Sequence, residues 1–241
     1  MVVKDANRIT DQFIDHFTEV VNKVLDESPI ITKKWRKMIK IFPVSNSLHF
    51  VSTITRGCTK KEFDKKFLIE QHKDYNTRWE HKPYLTNVEY YIDEEGIMHI
   101  DGIFILIKYN VVAQQILDNL DRLDVVKQIY EVDAHHEAGH VMDFISLIDG
   151  VKFEDYYKNT GKPDDDATDE YYKWREETVK AFFDRHEDVD TETMRLITEK
   201  YYKLPAEERA DILGGVDRQK FINLVYDNMK PTVDINIEVI N

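Results

Sequence analysis

The chain has 241 residues, 42% of them hydrophobic, one cysteine, and a formal net charge of −13 from 33 Lys plus Arg against 46 Asp plus Glu. That length suffices for a buried core, as one large domain or two small ones. An acidic surface argues against nucleic acid or an anionic membrane as partner, and the lone Cys58 excludes an internal disulfide. The first residues carry no apolar signal core and no run approaches a membrane span. The expectation is a soluble protein, cytoplasmic or delivered into a host, that meets a polypeptide substrate or partner protein; its oligomeric state stays open.

In chain order, residues 10–27 read as an amphipathic helix with Thr10 as N-cap and Phe13, Ile14, Phe17, Val20, Val21 and Val24 at helical spacing. From Met38 to Thr55 the pattern turns to β, with Pro43 and Ser45-Asn46-Ser47 marking a turn. Thr59 opens a charged helix carrying Phe63, Phe67 and Leu68. Cys58, with no obvious partner, reads as an inert thiol. Val88–Ile92, a turn at Asp93-Glu94-Glu95-Gly96 and Ile97–Ile100 make a hairpin, and Ile103–Ile107 follows as a buried strand. His99 falls in a strand and reads as structural. Residues 111–123 give another helix.

A long helix around residues 125–148 ends at Gly150, a natural stop. Residues 151–169 look loop-like. The acidic run Asp164–Glu170 lacks the spacing and glycine of a calcium loop and suits a solvated helix N-terminus. Residues 171–183, 191–203 and 205–229 read as helices, and 232–240 alternates as a terminal strand. The whole is an α+β pattern, a small mixed sheet on the long helix with a mostly helical C-terminal part. It divides into 1–110 and 111–241, or runs as one continuous domain.

The long helix holds His136-Glu137-Ala138-Gly139-His140. Residues four apart leave one face of a helix, so both imidazoles can converge on one cation. Glu137 sits about 100° round the helix, beside such a metal, where it can take a proton from water. Gly139 lets another element approach closely. A catalytic zinc needs a third protein ligand, and the compact downstream pattern with a third histidine is absent, since Asp143 and Ser146 occupy those places. The helix Tyr171–Phe183 offers a glutamate instead. Trp174, Thr178, Ala181 and Phe182 make an inward stripe beside Glu177, small Ala181 would allow close packing, and Glu176 is the competing candidate.

His136-Glu137-Ala138-Gly139-His140-Val141-Met142-Asp143, followed by Glu177-Thr178-Val179-Lys180-Ala181-Phe182-Phe183, resembles the glutamate-zincin metallopeptidases. It is most similar to the catalytic domain of anthrax lethal factor and related toxin-type proteases. The similarity spans roughly residues 125–190 and is motif-level. It implies a zincin-like fold, Zn2+ as cofactor, His136, His140 and Glu177 as ligands, Glu137 as general base, and Tyr171 or Tyr172 as the tyrosine that steadies the oxyanion. Asp143 stands where it could orient an imidazole. The expected function is zinc-dependent peptide-bond hydrolysis, a metalloendopeptidase of toxin-like type. The alternative is a zincin-fold binding or regulatory protein with a silent or structural metal site that sequesters a partner.

Overall fold

The computed structural model describes residues 3–44, 83–185 and 189–228. The expectations for residues 45–55, Cys58, the helix from Thr59 and the strand 232–240 lie outside them. Helix α1 (Val3–Glu27) buries a stripe of Thr10, Ile14, Phe17, Val21 and Leu25. Thr10 is therefore no N-cap. It lies inside the helix, fully buried one turn before Ile14, because Asp5-Ala6-Asn7-Arg8 contains nothing that stops a helix.

Helix α2 (Lys33–Met38) leads into strand β1 (Ile39–Val44), which pairs in parallel with β3 (Met98–Lys108); β2 (Tyr84–Ile92) pairs antiparallel with β3 on its other side. Pro43 is tolerated in the ladder because β1 is an outer strand among the described residues. The two strands expected at 97–100 and 103–107 are one strand. Tyr90 faces Ile100 and Glu89 faces Gly102, so Asp101 is the extra residue of a bulge that keeps the strand continuous. Between β2 and β3, Asp93 accepts the backbone N–H groups of Glu95 and Ile97, and Gly96 takes φ +78°. His99 is held by Asp93 at 2.7 Å and stacks on Tyr91 across the strands, a structural role.

Alternation along the strands puts Ile39 and Ile41 of β1, Tyr84 and Val88 of β2 and Ile100, Ile103, Ile105 and Ile107 of β3 on one face. That face packs on α1 and on the long helix α4 (Leu123–Ile148), which follows α3 (Tyr109–Asp118) and a short 3-10 turn (Leu120–Arg122). One core thus joins side chains from both sides of residue 110. Gly150 ends α4 at φ +78°, and its N–H donates to Met98 O, which ties the helix end to β3.

The stretch 151–169 is helical where a loop was expected. Helix α5 (Phe153–Tyr156) passes through one π-helical turn (Tyr157–Gly161) into α6 (Lys162–Phe183). Widening that turn lets Gly161-Lys162-Pro163, which reads as a breaker, stay inside a continuous rod. Asp164 and Asp165 fall in the first turn of α6, as the dipole favours. Helices α7 (Thr191–Tyr201), α8 (Pro205–Gly214) and α9 (Arg218–Asn228) complete the described chain. The result is an α+β molecule, mostly helical, with a small mixed sheet. Among the described residues no helix is long and apolar enough to cross a membrane.

Candidate metal centre

Helix α4 presents His136 and His140 one turn apart, their Nε2 atoms 3.1 Å from each other and their rings edge to face. His136 is 5% exposed, so the pair is largely shielded from bulk water. The third group converging there is Glu207, whose Oε2 lies 3.0 Å from His136 Nε2 and 3.5 Å from His140 Nε2. Arms of roughly 2.0–2.2 Å at tetrahedral angles hold ligand atoms about 3.3–3.6 Å apart, so this triangle is close to the size a zinc ion spans. Two imidazoles and one carboxylate are also a donor set that zinc favours, with a fourth position left open.

Backbone contact explains why Glu207 occupies this place. A Cβ on Gly139 would lie 1.9 Å from the carbonyl oxygen of Ala210, and one on Gly214 would lie 2.2 Å from that of His135. Only glycine at both points lets α8 cross α4 so closely. From Gly139 opposite Ala210 to His135 opposite Gly214, α8 runs antiparallel to α4. His135 Nδ1 meets Gly214 O at 2.9 Å and closes the far end of the contact. The close approach expected at Gly139 is there, made by α8 and Ala210 rather than by the helix of Ala181.

Glu176 and Glu177 are exposed on α6. They do not join His136 and His140, because α6 turns Tyr171 and Val179 inward, against Met194, Ile197 and Leu204. Tyr171 is buried in that second cluster and donates its hydroxyl to Ile197 O, while half-buried Tyr172 packs edge-on against Tyr171. The tyrosine that reaches the site is Tyr201 at the end of α7, whose hydroxyl donates to Glu207 Oε1. Burial first, and then the Glu207 carboxylate, push the Tyr201 phenol well above its ordinary range, so it stays a donor.

Asp211, one turn after Glu207, meets His136 Nδ1 at 2.6 Å. Arg218 from α9 grips both Asp211 oxygens and lies over the Tyr202 ring, 3.5 Å from its centroid. Burial opposes the Asp211 charge, yet Arg218 and His136 hold its pKa below the ordinary carboxylate value. An ionised Asp211 makes Nδ1 the protonated nitrogen and leaves Nε2 facing His140 and Glu207, the tautomer a metal ligand requires. Burial likewise opposes a charged His136, but Asp211 and Glu207 outweigh it and raise its pKa to about 9. A proton on His136 balances the converging acids in the metal-free protein.

Asp143 does not orient an imidazole. Its oxygens accept from Arg209 Nε at 3.0 and 3.1 Å, and Arg209 also forks onto Asp164, at 3.1 and 2.6 Å. Burial pushes the Asp143 carboxyl up and the Arg209 guanidinium draws it back. Arg209 thereby links α8 to α4 and to the first turn of α6. Glu137 is 8% exposed, and its Oε2 accepts the hydroxyl of Thr86 from β2.

Reading the sequence missed Glu207, Asp211, Tyr201, Arg218 and Thr86. One signal was present: Ala206, Ala210 and Gly214 form a small-residue stripe at spacing four beside Glu207, the mark of a helix able to approach Gly139. Thr86 and Arg218 carry no local signal. No family model matches the chain, and no curated protein or solved structure shows significant similarity to it.

Proposed function

We propose that this protein is a zinc-dependent peptide-bond hydrolase with a zincin-like arrangement, in which His136, His140 and Glu207 hold the metal and Glu137 is the general base. The observation that carries this reading is the convergence within 4.8 Å of Glu207 from α8 with two imidazoles of α4, the helix that also carries Glu137 between the histidines. A zinc ion bound there supplies a Lewis acid that polarises a carbonyl and acidifies water.

The chain's own groups do the rest. Glu137 takes a proton from the attacking water and passes it to the departing amine. Asp211 holds His136 in its ligating tautomer, and Arg218 keeps Asp211 ionised. Strand β2 meets α4 through Thr86 and Glu137 and is an outer strand among the described residues, so an extended polypeptide could pair with its backbone. A polypeptide substrate also agrees with the acidic composition.

The test joins metal content to turnover. Protein purified without added metal should carry near one zinc per chain, and His136→Ala none. Glu137→Gln should keep its zinc and lose cleavage of a mixed fluorogenic peptide set. An empty wild type after zinc supplementation, or full turnover by Glu137→Gln, would overturn the reading.

A further inference from the structure

We infer that Thr86 is a positioning residue for Glu137, fixing the general base to strand β2. The inference rests on the reading of Glu137 as the base and adds a group that neither motif nor spacing reveals. Thr86 lies on the core-facing side of β2, in register with fully buried Ile105 of β3. Two residues earlier on the same face, Tyr84 is stacked on Phe17, centroids 4.2 Å apart and planes 6° from parallel, and meets Tyr130 edge-on at 5.7 Å. Val88, two residues later, packs on the same core. The backbone of Thr86 is therefore held on both sides and from below. Its β-branched side chain has few χ1 choices, so the hydroxyl has a fixed aim.

That aim is Glu137 Oε2. The backbone of Glu137 is fixed as firmly, since Ala138 is fully buried and Gly139 lies against Ala210. What the helix does not fix is the carboxylate, which stands on three rotatable bonds. A single hydroxyl on one oxygen selects among those rotamers and leaves the other oxygen, Oε1, to receive a proton. Misplacement of a base by about 1 Å is costly to proton transfer, so a contact that selects the rotamer acts on catalysis without touching substrate. Because β2 is also the strand proposed to pair with a polypeptide, the base is registered to the substrate's own support.

Acetohydroxamate tests this without a known substrate. Bound to a zinc held by His136, His140 and Glu207, it would give up its hydroxamic proton, and Glu137 would be the acceptor. Its affinity for zinc-loaded protein, measured by calorimetry, thus reads the placement of Glu137. Thr86→Val removes the hydroxyl and keeps the shape. It should retain one zinc per chain with a thermal midpoint lowered by only a few degrees, and bind acetohydroxamate about threefold to tenfold more weakly. Thr86→Ser, which restores the hydroxyl, should bind within about twofold of wild type. Placed in Glu137→Gln, Thr86→Val should cost nothing further, because its effect passes through that carboxylate. Unchanged affinity in Thr86→Val, failure of Thr86→Ser to rescue, or an equal loss in the Glu137→Gln background would each overturn the assignment. A wild type that takes up no zinc would sink the metal reading itself and this inference with it, and elemental analysis tells that failure from the others.

Discussion

Helices α6 and α8 both carry adjacent glutamates, and only one of them delivers a carboxylate to His136 and His140. In α6, Glu176 and Glu177 flank an aromatic-rich stripe that looks suited to burial, yet they point to solvent while Tyr171 and Val179 go inward. In α8, Glu207 stands in the first turn after Pro205, beside a stripe of Ala206, Ala210 and Gly214. The difference is which helix packs against α4. Helix α6 turns its apolar face to Met194, Ile197 and Leu204, whereas Gly139 and Gly214 let α8 cross α4 in backbone contact. Glu207 meets the two imidazoles because the helix carrying it lies against Gly139, and the apolar pattern around it contributes little.

The sharpest way to break that comparison is Gly139→Val. Its side chain would overlap the Ala210 carbonyl, so α8 must move away. We expect a loss of at least about 3 kcal/mol in unfolding free energy, with zinc uptake lost, read by denaturant titration and elemental analysis. Zinc uptake undiminished in Gly139→Val would show that the crossing does not set the site.

Glu207→Gln and Glu177→Gln contrast the two helices directly. Structural zinc sites bind with roughly 10–16 kcal/mol, so losing one of three protein ligands should weaken affinity on the order of a thousandfold. Glu177→Gln should leave affinity unchanged in the same chelator competition. Equal effects from the two would return the third ligand to α6.

The smallest expected effect concerns the metal-free protein. His136 is raised to about 9 in the fold, so the folded chain binds a proton more tightly than the unfolded one. That stabilisation is fully present below the unfolded pKa of about 6.5 and is lost as pH rises through about 9. Metal-free protein should lose on the order of 2 kcal/mol between those limits, measured as a falling denaturant midpoint. Asp211→Asn should flatten that dependence by removing the partner of Nδ1. A stability that rose with pH across this window would contradict the network around His136.

Local pattern in the sequence was enough for much of this protein. The period of α1 and α4, the stop at Gly150, the turn at Asp93–Gly96 and the paired imidazoles of His136 and His140 all follow from spacing, because helix and strand geometry fix which residues share a face. The demand for a close neighbour at Gly139 was legible too. Which helix meets it was not, since the partner lies about seventy residues away and both α6 and α8 satisfy the local rules for a helix with a buried face. The same holds for Thr86, Tyr201, Asp211 and Arg218: each is unremarkable in its own segment and gains a role only through an atom on another element. Sequence by itself thus determined the histidine pair and the glutamate between them. Tertiary structure decided that Glu207 is the carboxylate that meets the pair, because which side chains converge is set by how closely two backbones can pack.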